Sequence, residues 1–118
     1  MKKTIKRSIV DPMGLNTGIA ISDVHLELKP ENDEIRISGY ISASRNMVFP
    51  FEQCLEPEIY ADIMDTNQHP HLLGTAEGHH KGHFWTMRHN PFEINISQVS
   101  KNYAKWEAIG EVKIHVLF

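Results

Sequence analysis

Cys54 is the only cysteine in this 118-residue chain. An intrachain disulfide is therefore excluded, and nothing points to an oxidising compartment. Long apolar runs are also lacking. The basic start MKKTIKRSIV is interrupted by Asp11, Pro12 and Gly14 before a signal-peptide core can form. No stretch approaches the roughly 20 apolar residues of a membrane span, so a cytoplasmic location is the expectation. There is no excess of positive charge: 12 basic residues stand against 15 acidic ones, a net charge of −3. That gives no global electrostatic case for nucleic acid or an anionic membrane surface. Nor is there a glycine-rich phosphate loop after a strand, or an interleaving of basic and aromatic residues of the kind that stacks bases. Internal repeats and low-complexity segments are missing too. What remains, with 41 % hydrophobic and 23 % charged residues, is an ordinary globular composition. The length suits one domain, 1–118, with a core of its own.

The strongest pattern runs from Val24 to Ser42. Val24, Leu26 and Leu28 alternate with His25, Glu27 and Lys29; after Pro30-Glu31-Asn32-Asp33, Ile35, Ile37, Gly39 and Ile41 alternate with Glu34, Arg36, Ser38 and Tyr40. Period-two alternation on both sides of a Pro/Asn/Asp turn predicts a β-hairpin with one wet and one buried face. Just before it the apolar phase is odd (Ile19, Ile21). The change of phase at Ser22-Asp23 predicts a β-bulge or a strand that switches sheets.

Alternation recurs along the chain. It predicts strands over Glu58 to Met64 and from His71 towards Gly78, with Asp65 to Gln68 turning the chain between them. His79 to Asn90 is ambiguous between a loop, which Gly78 and Gly82 favour, and a short strand with Phe84, Trp85 and Met87; further strands are predicted over Pro91 to Ser97 and Trp106 to Phe118. The last carries apolar residues on both faces and belongs in a sheet interior or an interface. Val99, Tyr103 and Trp106 have helical spacing, enough for one or two turns. Residues 1–18 form an edge strand or a flexible arm, and Pro50 and Pro57 keep the segment between the strands irregular. About seven strands without alternating helices predict an all-β fold. The expected architecture is an antiparallel, seven-stranded immunoglobulin- or fibronectin-like sandwich, with a small β-barrel as runner-up.

Candidate sites are few. Six of the eight histidines fall between His69 and His89. His69, His71 and His83 are the expected ligands if a zinc-type site forms, since three imidazoles can hold zinc with one position open. No spacing among them is diagnostic: His79 and His83 lack the catalytic Glu of a helical zinc motif and have Gly82 between them. Cys54 with a histidine would make a thiolate nucleophile, but Phe51 and Leu55 around it suggest a small buried hydrophobe. Glu58, Asp62 and Asp65 follow no calcium loop, and Asp65 reads as a turn former. Phe84, Trp85, Tyr103 and Trp106 would line a ligand cleft or close the core, and the core reading is favoured. The run Met47-Val48-Phe49-Pro50-Phe51 lies in a connection. Consecutive apolar residues there cannot all face one side of a sheet, so Met47, Val48, Phe49 and Phe51 are expected to plug an open end or anchor a partner.

Nothing catalytic is assembled by these residues. The expected function is a non-enzymatic protein-binding or assembly module without a cofactor, whose partner is another protein or a second copy of the chain. The competing expectation is a zinc-type, histidine-rich protein, enzyme or sensor. A third is a carbohydrate-binding module that stacks sugars on Trp85 or Trp106.

Overall fold

The computed structural model describes residues 5–10, 19–43 and 54–117. Its strands are β1 (Lys6–Ile9), β2 (Ile19–Lys29), β3 (Glu34–Ala43), β4 (Cys54–Leu55), β5 (Glu58–Asp65), β6 (Leu72–His80), β7 (Phe84–Trp85), β8 (Asn90–Ile96) and β9 (Ile109–Leu117). One helical turn, α1 (Val99–Asn102), precedes a 3₁₀ turn at Trp106–Ala108. Strand accounts for 65 % of the described residues. Among these residues no helix is long and apolar enough to cross a membrane.

Seven strands form one sheet in the order β1-β9-β5-β6-β8-β3-β2, curled nearly into a barrel. The two facing sheets of an immunoglobulin-like sandwich are not formed by these pairings; the curl is compatible with the runner-up barrel. The sheet is also mixed, because β1 pairs parallel with β9 while the other neighbours are antiparallel. Alternation fixes which face of each strand is apolar. Pairing order is set by contacts distant in sequence, which alternation does not encode.

Core residues follow the alternation. Ile35, Ile37 and Ile41 of β3, Ile59, Ala61 and Ile63 of β5, Phe92, Ile94 and Ile96 of β8, and Val112, Ile114 and Val116 of β9 are each at most 4 % exposed. Fully burying one such Ile, Val or Phe side chain contributes about 1.5–3 kcal/mol. The last strand lies inside the sheet, between β1 and β5, but it starts at Ile109 rather than at Trp106. A register shift between Met64 and Asp65 of β5 faces the start of β9. Gly110 sits there because a Cβ would lie 2.6 Å from the Asp65 carbonyl oxygen and 2.8 Å from Thr66 Cα.

The predicted hairpin is β2–β3, turned by Pro30–Asn32 and by Asp33 at φ 54°. The predicted bulge is present as well: the register slips between Ser22 and His25, with Asp23 at φ 52°. Asp33 also holds the far end of the chain. Its carboxylate accepts from the Ser100 amide (3.0 Å), the Ser100 hydroxyl (2.7 Å) and Trp106 Nε1 (2.9 Å), and its carbonyl accepts from the Val99 amide (3.0 Å). A single helical turn is not stable alone. Here Asp33 does for α1 what an N-cap side chain would do, and Gln98 at the cap position makes no such bond.

Candidate functional site

β2 is eleven residues long and, among the described residues, pairs with β3 alone. Beyond the bulge its outer side chains His25 and Glu27 are exposed. Its inward side chains lose burial along the strand: Val24 is 9 % exposed, and Leu26 and Leu28 are only half-buried, whereas the β3 isoleucines beside them are at 0 %. The cause is position, since an edge strand has a neighbour on one side only. In an antiparallel strand alternate residues turn both backbone N–H and C=O towards the neighbour or away from it. From His25 to Lys29, every second residue therefore offers its backbone outward. Lys29 Nζ lies 3.6 Å from Glu27 Oε1 within the strand, a pair weakened by solvent and salt.

A second feature lies on the outer face of β5, β6 and β9. Register sets Tyr60 beside His115 and Glu77, and Asp62 beside Lys113 and Thr75. Tyr60 and His115 stack with ring centroids 4.6 Å apart and an interplanar angle of 3°. His115 Nε2 is 2.9 Å from Asp62 Oδ2, near enough for an ion pair yet off the hydrogen-bond line, and Thr75 Oγ1 donates to Asp62 Oδ1 at 2.8 Å. Beside this cluster an open groove of about 560 Å³ is lined by Pro57, Glu58, Tyr60, Thr75, Glu77 and Leu117. The chemistry available is limited. The Thr75 hydroxyl gives its proton to Asp62 rather than to an imidazole, so the His115–Asp62 pair activates no nucleophile there.

The structure corrects the reading of Cys54. It is exposed rather than buried, and the β4–β7 pairing sets its Sγ 3.9 Å from His83 Nδ1. That distance is at the long limit for a sulfur contact. Among the described residues no carboxylate or carbonyl is bonded to His83 to orient the ring, as a thiolate–imidazole pair requires.

His69 and His71 are not brought to His83. They precede β6 and His83 follows it, and a nine-residue strand spans about 30 Å at ~3.3 Å per residue. Among the described residues no group of three His, Cys, Asp or Glu side chains is placed to hold a metal ion. His80 Nδ1 instead donates to the Gly82 carbonyl at 2.8 Å, and its ring packs edge-on against Phe84.

Of the aromatic residues, Phe84 and Trp106 are core, Tyr103 lies over Gly74, and Trp85 is half-buried beneath the Arg88 guanidinium at 5.3 Å. Trp106 therefore offers no sugar-stacking surface. Asp65 is the turn former expected: it accepts from the Asn67 amide at 3.2 Å and the His71 amide at 3.0 Å. These bonds, the His71 amide first, hold its carboxyl below the usual range. Met47, Val48, Phe49 and Phe51 lie outside the described residues.

Two residues that sequence reasoning passed over organise the structure. Asp33 is one; the Pro-Glu-Asn-Asp turn was its signal, because Asp tolerates a left-handed conformation. The other is Asn90, which is buried. Its Oδ1 accepts from the Trp85 amide at 2.9 Å, and the two protons of its Nδ2 are shared among the carbonyls of Trp85 (2.8 Å), Arg88 (2.9 Å) and Ile41 (3.1 Å). No family model matches the chain, and no curated protein or solved structure matches it either.

Proposed function

We propose that this chain is a non-enzymatic protein-binding or assembly module of the cytoplasm, and that it takes an extended segment of a protein chain along the outer edge of β2. The observation that carries the reading is the edge itself: outward-facing backbone from His25 to Lys29, with Leu26 and Leu28 left half-exposed on the inner side. Strand addition satisfies such backbone groups and covers such side chains at once, with main-chain bonds giving affinity and alternate side chains giving selectivity. The free, exposed Cys54 suits a reducing compartment.

The test uses proline, which removes one N–H. Of two consecutive residues in an antiparallel edge strand, one points its N–H outward. Glu27→Pro and Leu28→Pro are compared for melting and for association, measured as self-association by sedimentation and as capture of partner proteins. The variant whose lost N–H faced outward should keep a cooperative melt and lose association. Association that survives in that variant overturns the reading.

A further inference from the structure

Along the outer face of β2 acidic side chains alternate with a histidine and a lysine: Asp23, His25, Glu27 and Lys29. Charged side chains on an edge strand ordinarily discourage pairing with another copy. Reversing the strand about Leu26 changes that, because it carries each acid onto a base. We propose that the occupant of the β2 edge is a second copy of this chain, paired antiparallel about a twofold axis at Leu26. In this register His25 faces Glu27 of the second copy and Leu26 faces its Leu26, while Lys29 and Leu28 reach the bulge that carries Asp23 and Val24. The proposal rests on the edge-pairing reading above and adds the identity and register of the partner.

The neighbouring registers are worse for stated reasons. An axis at Glu27 sets Glu27 against Glu27, and an axis at His25 sets Asp23 against Glu27. Like charges directly opposite are destabilising. An axis between two residues puts the apolar face of one copy on the solvent face of the other, since a one-residue slip exchanges the faces of a strand. An axis at Leu28 also sets Glu27 against Lys29, but it puts Leu26 opposite Pro30 of the turn; the Leu26 axis keeps every pair within β2, with acids facing basic side chains outside and aliphatics facing each other inside. It also explains the burial gradient. Leu26 and Leu28 are half-buried in one copy, and the pairing continues the core across the twofold axis to cover them. Directly opposite Cβ atoms on an antiparallel pair lie about 5 Å apart, so two Leu26 side chains meet at the axis.

The register can be read by crosslinking from exposed positions, leaving the core intact. In a Cys54→Ser background, His25→Cys and Glu27→Cys are prepared separately, checked to melt like their parent, then mixed in equal amounts and oxidised. In the proposed register residue 25 of one copy directly faces residue 27 of the other, within disulfide reach. Two copies of the same position lie about 8 Å apart at Cα, beyond the ~7 Å limit. The expected result is a concentration-dependent dimer of the native chain in sedimentation, and a mixed disulfide several-fold more abundant than either homodisulfide. A native chain that stays monomeric overturns the proposal, as does a dimer that crosslinks statistically or favours either homodisulfide. The failures separate cleanly. A monomer whose capture of a different protein is still abolished by the outward-facing proline retires self-pairing and keeps strand addition. Association indifferent to that proline retires both.

Discussion

Asp33 sits at φ 54° in the β2–β3 turn, and its carboxylate accepts from Ser100 and from Trp106. The Ser100 hydroxyl, above all, holds its carboxyl below the ordinary range. A carboxylate whose folded pKa is lowered contributes stability that is present above about pH 4 and is lost as pH falls through the folded value. Asp65, held down first by the His71 amide, and Glu93, held down first by the Asn95 side chain and then by Lys81, act in the same direction. Melting temperature should therefore drop on acidification from pH 5 to 2. Asp33→Asn should melt lower than the native chain at pH 7 and show a shallower decline over that range. Equal slopes for the two proteins would show that Asp33 contributes nothing through its charge. Asn90 is a different case because it is buried. Asn90→Ala leaves the Trp85 amide and several carbonyls without their partner, each costing about 1–3 kcal/mol. Chemical denaturation should show a loss of about 2 kcal/mol or more, and a smaller loss would mean that water replaces the amide.

The β5–β9 pair shows how a strand adjusts to its neighbour. Ile109 and Val112 are both fully buried although three residues apart, which strict alternation forbids. The register shift opposite Met64 and Asp65 absorbs the odd residue. Backbone atoms of Asp65 and Thr66 close over Gly110 and leave no room for a side chain. Gly110→Ala must push that backbone away and should cost about 1–3 kcal/mol, as overpacking does. A substitution with an unchanged melt would show the contact to be loose. The bulge in β2 is legible in the amino-acid sequence, because the apolar phase changes there from odd to even. The one at Gly110 of β9 is masked, since Trp106, Ala108 and Gly110 keep the even phase of Val112, Ile114 and Val116 and make Ile109 look like an apolar residue on the other face. In the same way α1 is legible from Val99, Tyr103 and Trp106, but its anchor is not. The partner, Asp33, lies 67 residues from Ser100, and no local pattern joins them.

At the scale of the molecule, β9 holds two neighbours in place, β1 on one side and β5 on the other. Deleting residues 110–118 removes Val112, Ile114 and Val116 from the core and strands β1 from the sheet. The truncated chain should lose its cooperative melt, and one that kept it would show β9 to be peripheral. The full chain should give a far-ultraviolet circular dichroism spectrum dominated by strand. The amino-acid sequence by itself determined the all-β class, the wet and buried faces of the long strands, the central hairpin with the break of phase before it, and a last strand that belongs in an interior or an interface. These follow from local alternation and turn chemistry, which depend on neighbours a few residues away. Tertiary structure alone decided that the strands join one curled sheet instead of two facing ones, and that β1 pairs in parallel. It separated His69 and His71 from His83 by the length of β6, and brought Cys54 out to His83. Among the described residues it also left β2 at an edge. The physical reason is common to all of these: each depends on which distant strands lie side by side, and an apolar face records that it must be covered without recording by what.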